Sequence, residues 1–152
     1  MYCAIVAVMI LAVEVSATPD IFPSFEVGTV QSIAVEGELV CNGQPAVGVK
    51  VKLYDEDTGL DLDDLLMESV SDKKGRFYLK GYTTEISTID PKLNIYHDCN
   101  DEKWPCLKKV SVVIPDSYIT EGTKIPKKTF DVGTINLSGA FSGESRDCLN
   151  RK

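Results

Sequence analysis

Apolar and polar residues alternate through most of the chain beyond residue 30, which is the pattern of half-buried β-strands. In the first alternating segment, Ile33, Val35 and Leu39 fall on one side, whereas Glu36 and Glu38 fall on the other. Similar alternation predicts strands over residues 47–53, 77–81, 93–97, 109–114 and 130–137, and a short edge strand over 68–71. Such short strands predict an all-β fold, an antiparallel β-sandwich of seven to eight strands.

Residues that favour turns separate these segments. Asn42-Gly43 follows the first strand, and Asp72–Gly75 forms a turn that requires a positive φ at its glycine. In the last segment the apolar positions change parity, which predicts a β-bulge at Gly133. The segment that comes nearest to a helical pattern is Asp61–Val70, so we expect at most one short helix.

The N-terminal segment differs from the rest of the chain. Ala4–Val13 is a run of ten apolar residues, too short for the roughly 20 that span a bilayer, and small residues follow at Val15-Ser16-Ala17. We predict a signal peptide over residues 1–17, although no Lys or Arg precedes the apolar run; an uncleaved anchor and a buried strand are the alternatives. A poorly ordered leader (18–30), the sandwich domain (31–148) and a tail (149–152) would follow, with no transmembrane segment in the mature chain.

The negative charge of the chain argues against nucleic acid as a partner. Its formal net charge is −7 and its pI is about 4.7. An acidic chain repels phosphates, so we expect no nucleic-acid partner. No cofactor is expected either, because the sequence contains no Gly-x-Ser-x-Gly motif and no glycine-rich phosphate loop.

Several strings in the chain carry a family resemblance. They are Gly37–Gly43 with Pro45, Val49–Asp55, Asp72–Gly75 with Phe77, Ile89–Cys99, Pro105-Cys106, Ile114–Asp116 with Tyr118-Ile119, Gly133–Leu137 and Gly143–Cys148. Through them the chain closely resembles the nematode transthyretin-like family over about residues 31–148. The resemblance implies a transthyretin-type (prealbumin-like) sandwich that is secreted and associated with the extracellular space or the cell surface. It implies no settled biochemical activity.

Three classes of function follow from this resemblance. The first is a non-catalytic extracellular protein that binds a protein or cell-surface ligand, and this is the one we expect. The second is a carrier of a small apolar ligand in an internal or inter-subunit cavity, by similarity to hormone-carrying transthyretins. The third is a hydroxyisourate-hydrolase-like enzyme, but those enzymes use several histidines and a C-terminal Tyr-Arg-Gly-Ser. This chain has His97 alone and ends in Asn150-Arg151-Lys152, so we expect no enzymatic activity.

The cysteines predict two disulfide bonds. Cys3 leaves with the signal peptide, and Cys41, Cys99, Cys106 and Cys148 remain. Four cysteines in a small secreted domain usually form two disulfides, with three possible pairings. We predict Cys99–Cys106, across a short polar loop, together with Cys41–Cys148. A zinc site is disfavoured because the cysteine spacing does not suit one, and no metal ligand is assigned.

Four further features are candidates for function. Trp104 lies in the loop Asn100–Pro105 and is the candidate partner-binding residue, unless its ring packs over a disulfide. Asn136 begins an Asn-Leu-Ser glycosylation sequence. His97 shares the parity of buried apolar residues and is interpreted as structural. The acidic connection Asp55–Asp64 is interpreted as solvated, with weak calcium binding as the alternative.

Overall fold

The computed structural model describes residues 27–56 and 63–150, which form ten β-strands in two sheets. The strands are β1 (Thr29–Cys41), β2 (Gln44–Pro45), β3 (Lys50–Asp55), β4 (Asp64–Val70), β5 (Arg76–Glu85), β6 (Pro91–His97), β7 (Leu107–Val113), β8 (Thr120–Glu121), β9 (Phe130–Asn136) and β10 (Ser145–Asp147). A short 3-10 helix spans Asp116–Tyr118. The described part of the chain contains no helix that is long and apolar enough to cross a membrane. The predicted signal peptide and most of the predicted leader lie outside the described residues.

The first sheet is built around β1. Strand β5 pairs antiparallel with it from Thr29 opposite Glu85 to Glu38 opposite Arg76. On the other side of β1 lie β8 and the parallel strand β9, whereas the short β2 pairs with the end of β1 on the same side as β5. The pairing with β9 shifts between Glu36 and Glu38, where two residues of β9 face one of β1, and Gly133 has a φ of 70°. The predicted β-bulge at Gly133 is therefore confirmed.

The second sheet has the order β10-β7-β6-β3-β4, with every neighbouring pair antiparallel. The core lies between the two sheets and consists mainly of aliphatic side chains from both: Ile33, Val35, Leu39, Val51, Leu53, Leu79, Leu93, Ile95, Val110, Ile114 and Leu137. Each such buried side chain contributes about 1.5–3 kcal/mol. Seven strands have six or more residues within the described part of the chain, so the predicted all-β sandwich is confirmed.

Three local predictions need correction. Asp64–Val70 is not helical but forms β4, because it pairs with β3 along its whole length; residues 61–62 lie outside the described residues. The strand predicted from residue 47 begins at Lys50, because the chain turns at Val47-Gly48, where Gly48 has a φ of 72°. Strand β1 starts at Thr29, two residues before the predicted domain boundary.

The predicted disulfide pairing is also wrong, although the number of bonds is confirmed. The bonds join Cys41 to Cys99 and Cys106 to Cys148. Cys41 ends β1, and Cys99 lies just after β6, so the first bond connects the two sheets. Cys106 precedes β7 and Cys148 follows β10, and these strands pair antiparallel with Leu107 opposite Asp147. Strand pairing therefore brings together cysteines that are distant in sequence.

Candidate binding surfaces at the β6–β7 connection

The connection between β6 and β7, residues 98–106, is fixed at both of its ends. Cys99 is bonded to Cys41, and Cys106 is bonded to Cys148. Asn100 adopts a positive φ of 57° and exchanges two side-chain hydrogen bonds with Asn42, at 2.7 and 3.1 Å. The loop is thus attached to β1 on one side and to the C-terminal segment on the other.

Arg146 braces the middle of this loop. Its guanidinium donates to both carboxylate oxygens of Asp101 and to the carbonyl of Cys106 at 3.1 Å. The hydrogen bonds from Arg146 hold the pKa of Asp101 below its usual value. The same guanidinium lies 5.5 Å from the centroid of the Trp104 ring. Arg146, a residue of β10, therefore contacts both the middle and the end of the loop.

Trp104 itself is largely solvent-exposed, with a relative exposure of 65%. Its backbone N–H donates to the carbonyl of Asp101 at 3.1 Å, which closes a turn within the loop. An exposed tryptophan on a constrained loop loses little conformational entropy when it is buried against a partner. The Trp104 loop, defined as residues 100–105, is therefore a preorganised candidate contact surface.

A cleft lies beside the same connection, and we call it the His97 cleft. It has a volume of about 380 Å³. Its lining is mainly apolar and comes from four strands or their ends: Val47, Gly48, Val49, Lys50, Val70, Tyr96, His97, Asp98 and Leu107. Trp104 is not part of this lining, so the two surfaces are separate.

His97 is buried, with a relative exposure of 2%, as the strand parity predicts. Its Nδ1 accepts a hydrogen bond from the backbone N–H of Cys99 at 3.3 Å. Its Nε2 has no partner among the described residues, and the same is true of Glu144 Oε2. Burial lowers the pKa of His97, and the nearby Glu144 opposes that shift. The ring is therefore neutral near pH 7.

Among the described residues of the acidic connection, Glu56, Asp63 and Asp64 are exposed as expected, but Asp55 is not. Asp55 is buried and accepts a hydrogen bond from the N–H of Asp90 at 2.8 Å. Glu56 and Asp63 both form ion pairs with Lys92. Within residues 27–56 and 63–150, no group of three or more His, Cys, Asp or Glu side chains could hold a metal ion. The rest of this connection, residues 57–62, lies outside the described residues.

Asn136 is exposed at the last position of β9, where a turn begins. Its side-chain oxygen accepts hydrogen bonds from the N–H of Ser138 at 3.2 Å and from the Ser138 hydroxyl at 2.5 Å. The glycosylation sequence therefore occupies a strand end and a turn, not the middle of a strand, and its acceptor amide is accessible.

Comparison with known proteins identifies the family. The model of TTR-52, the transthyretin-like family, matches residues 36–115. The chain belongs to the transthyretin-like family. Similar relatives include transthyretin-like protein 5 of Caenorhabditis elegans, 52% identical and covering 82% of this chain and 88% of that protein. Transthyretin-like protein 33 of the same nematode is 54% identical and covers 80% of this chain and 84% of that protein.

Solved structures are more distant from this transthyretin-like chain. The structure of (S)-allantoin synthase matches with a TM-score of 0.45 and 16% identity, covering 76% of this chain and 43% of that one. A likeness of this size has no bearing on activity. The family membership rests on the sequence relatives, which agree with the strings identified in the sequence.

Some residues of these surfaces could not be identified from the sequence. Arg146 is 45 residues from Asp101, and Val70 is 37 residues from Leu107. Their proximity depends on the pairing of β10 with β7 and of β3 with β4 and β6, which no local pattern reveals. Trp104, in contrast, is conspicuous in the sequence because it is the single tryptophan.

Proposed function

We propose that this transthyretin-like protein is a secreted, non-catalytic extracellular binding protein that recognises a protein or cell-surface ligand through the Trp104 loop. The observation that carries this proposal is the 65% exposure of Trp104 on a loop held by disulfides at both ends. Tryptophan is enriched among the residues that dominate binding energy at protein interfaces. A braced loop presents it at low entropic cost.

Two features support secretion. Disulfides persist mainly in oxidising compartments, and this fold pairs all four of the cysteines that follow the predicted signal peptide. The apolar run over residues 4–13, followed by small residues, has the form of a signal peptide.

The burial and hydrogen bonding of His97 support the proposal that the protein binds a ligand and does not catalyse a reaction. It is the single histidine of the chain, and a general base must reach a proton of its substrate. His97 is buried, and its Nδ1 is already occupied by the N–H of Cys99. The hydrolases of related fold rely on several histidines, which this chain does not have.

The proposal is tested by binding to intact nematode cells. The mature chain, produced with both disulfides and labelled with a fluorophore, is titrated onto dissociated Caenorhabditis elegans cells, and bound fluorescence is measured. We expect saturable binding that Trp104→Ala weakens by about 30-fold, corresponding to about 2 kcal/mol. The melting temperature should change little, because the removed ring is mostly exposed.

Tyr78→Ala is the matched control, because Tyr78 is also an exposed aromatic residue, with a relative exposure of 50%, on the other sheet. It should leave cell binding unchanged. The proposal fails if Trp104→Ala binds as tightly as the unmodified chain. It also fails if Tyr78→Ala reduces binding by the same factor, since the loss would then not be specific to the Trp104 loop.

A further inference from the structure

Two buried polar atoms of complementary character belong to His97 and Glu144. The Nε2 of His97 and the Oε2 of Glu144 are both buried, and neither has a hydrogen-bond partner among the described residues. Because Nδ1 of His97 accepts the N–H of Cys99, the neutral ring carries its proton on Nε2. Of the charged groups that act on this ring, Glu144 has the largest effect. A small shift of either side chain, or one water between them, satisfies both the donor and the acceptor.

Glu144 belongs to the C-terminal segment, residues 138–147, which crosses from the first sheet to the second. Phe141 packs against the core, and Glu144 Oε1 forms an ion pair with Lys108 at 3.2 Å. Strand β10 has three residues, and among the described strands it pairs with β7 alone. Elements with so few contacts open locally before the rest of a fold. The disulfide at Cys148 keeps this segment attached to β7 when it opens.

Three basic side chains form a row across the second sheet at this end. His97 of β6 lies opposite Lys108 of β7, and Lys108 lies opposite Arg146 of β10. Residues directly opposite each other on neighbouring strands share one face of a sheet. A proton on His97 would therefore add a third positive charge to a row that already holds two.

The carboxylates near the ring do not fully compensate for that charge. Glu144 and Asp101 are already paired with the two cations of the row, and Asp98 is the other acidic group that acts on the ring. Burial outweighs these carboxylates, so the pKa of His97 is lowered. An exposed histidine has a pKa of about 6.5. Below that pH, protonation therefore favours any state in which the ring is hydrated.

We propose that His97, Glu144 and Lys108 form an acid-sensitive latch that holds the C-terminal segment against the end of the sandwich. The latch is closed at pH 7, where the ring is neutral. As the pH falls below about 6.5, the hydrated and protonated ring stabilises the open segment. Arg146 then moves away from the Trp104 loop that it braces. This last consequence, acid regulation of binding, rests on the proposed function of the loop, whereas the latch itself does not.

Hydrogen exchange at pH 7 and at pH 5 tests the latch without any binding partner. NMR follows each amide of the mature chain with both disulfides intact, and each rate is divided by the intrinsic rate at that pH to give an opening constant. His97 is the single histidine, and carboxylates titrate mainly below pH 5, so its charge changes most in this window. We expect the opening constants of β10 and of the Trp104 amide to rise at least fivefold, against a ceiling of about 25-fold for one histidine.

Gly122 provides the internal control. Its N–H donates to the carbonyl of Val30 at 2.7 Å beside β8, a second short strand, which belongs to the other sheet. Opening there does not hydrate His97, so the opening constant of Gly122 should change less than twofold between the two pH values.

Two substitutions assign the effect to the latch. His97→Gln keeps a polar side chain that cannot be protonated, and it should reduce the acid response of β10 to less than twofold. Glu144→Gln removes the ion pair with Lys108 and should raise the opening constant of β10 at pH 7 at least threefold. Glu121→Gln makes the same change at an exposed glutamate of β8 and should leave β10 unaffected.

Four results would overturn the latch. The first is an acid response of β10 below twofold, and the second is an unchanged response in His97→Gln. The third is an equal rise at Gly122. The fourth is an opening constant of β10 no larger than that of the β1–β5 amides, because β10 would then open only by global unfolding. If His97→Gln does not fold, the pKa of the ring in the unaltered chain, measured by NMR, decides: a value of 6.5 or above removes the driving force.

Discussion

At the scale of single residues, Gly75 shows how a turn can depend on the absence of a side chain. The Asp72–Gly75 turn requires a positive φ at its glycine, and the structure has a φ of 77° there. The turn also packs against β1, since the N–H of Leu39 donates to the carbonyl of Gly75 at 2.8 Å. A Cβ on Gly75 would lie 2.2 Å from the carbonyl oxygen of Leu39. Both the positive φ and the short distance to the Leu39 carbonyl therefore require glycine at position 75.

Gly43 has the positive φ but not the close contact. Its φ is 76°, and a Cβ added to it would meet no atom within 4 Å. We expect Gly43→Ala to lower the free energy of unfolding by about 1–2 kcal/mol, the cost of the left-handed conformation alone. Gly75→Ala should cost about 3 kcal/mol or more, because β1 must also move. Urea unfolding followed by circular dichroism measures both. Equal losses in the two variants would show that the contact with Leu39 is unimportant.

At the scale of elements, the long strands were predictable and the contacts between them were not. Alternation is a local property, so Ile33 to Leu39 and Leu93 to Ile95 reveal their own strands. The short strands β2, β8 and β10 have too few residues to show a period. The segment Asp64–Val70 resembles a helical turn until its pairing with β3 is known. The wrong disulfide pairing and the unforeseen cleft have the same cause, because both depend on residues that are distant in sequence.

The two disulfides should differ in their effect on stability. Closing loops of 58 and 42 residues corresponds to about 4 kcal/mol each by chain entropy. Cys41–Cys99 joins the two sheets, so replacing both residues with serine should cost that full amount. Cys106–Cys148 fastens the short strand β10 to β7, and detachment of this strand once the bond is removed should offset part of the loss. Replacing this pair should cost about 2 kcal/mol.

Urea unfolding of the two double-serine variants measures this difference. Peptide mapping without reduction is the control, because it should recover Cys41 linked to Cys99 and Cys106 linked to Cys148. A larger loss for the Cys106–Cys148 variant would contradict the assignment of the sheet-joining bond as the main stabilising one.

At the scale of the whole molecule, the candidate surfaces gather at one end of the sandwich. The Trp104 loop and the His97 cleft share the connection between β6 and β7. Asn136 belongs to the same end, because β9 runs parallel to β1 and Asn136 lies opposite Val40, one residue before the disulfide at Cys41. A glycan on Asn136 would therefore stand at the end of the molecule that carries both candidate surfaces.

Expression in a secreting eukaryotic host tests these proposals for the molecule as a whole. We expect a product that starts at or near Thr18, contains no free thiol and carries one N-glycan on Asn136. The glycan is expected because Asn136 is exposed beside a turn and its side-chain oxygen is hydrogen-bonded to the Ser138 hydroxyl of the acceptor sequence. Intact mass before and after treatment with an N-glycosidase, N-terminal sequencing and alkylation without reduction measure the three properties.

Asn136→Gln is the control and should remove the glycan without reducing secretion. A product that begins at Met1 would refute the signal peptide, and an unchanged mass after N-glycosidase would refute the glycan.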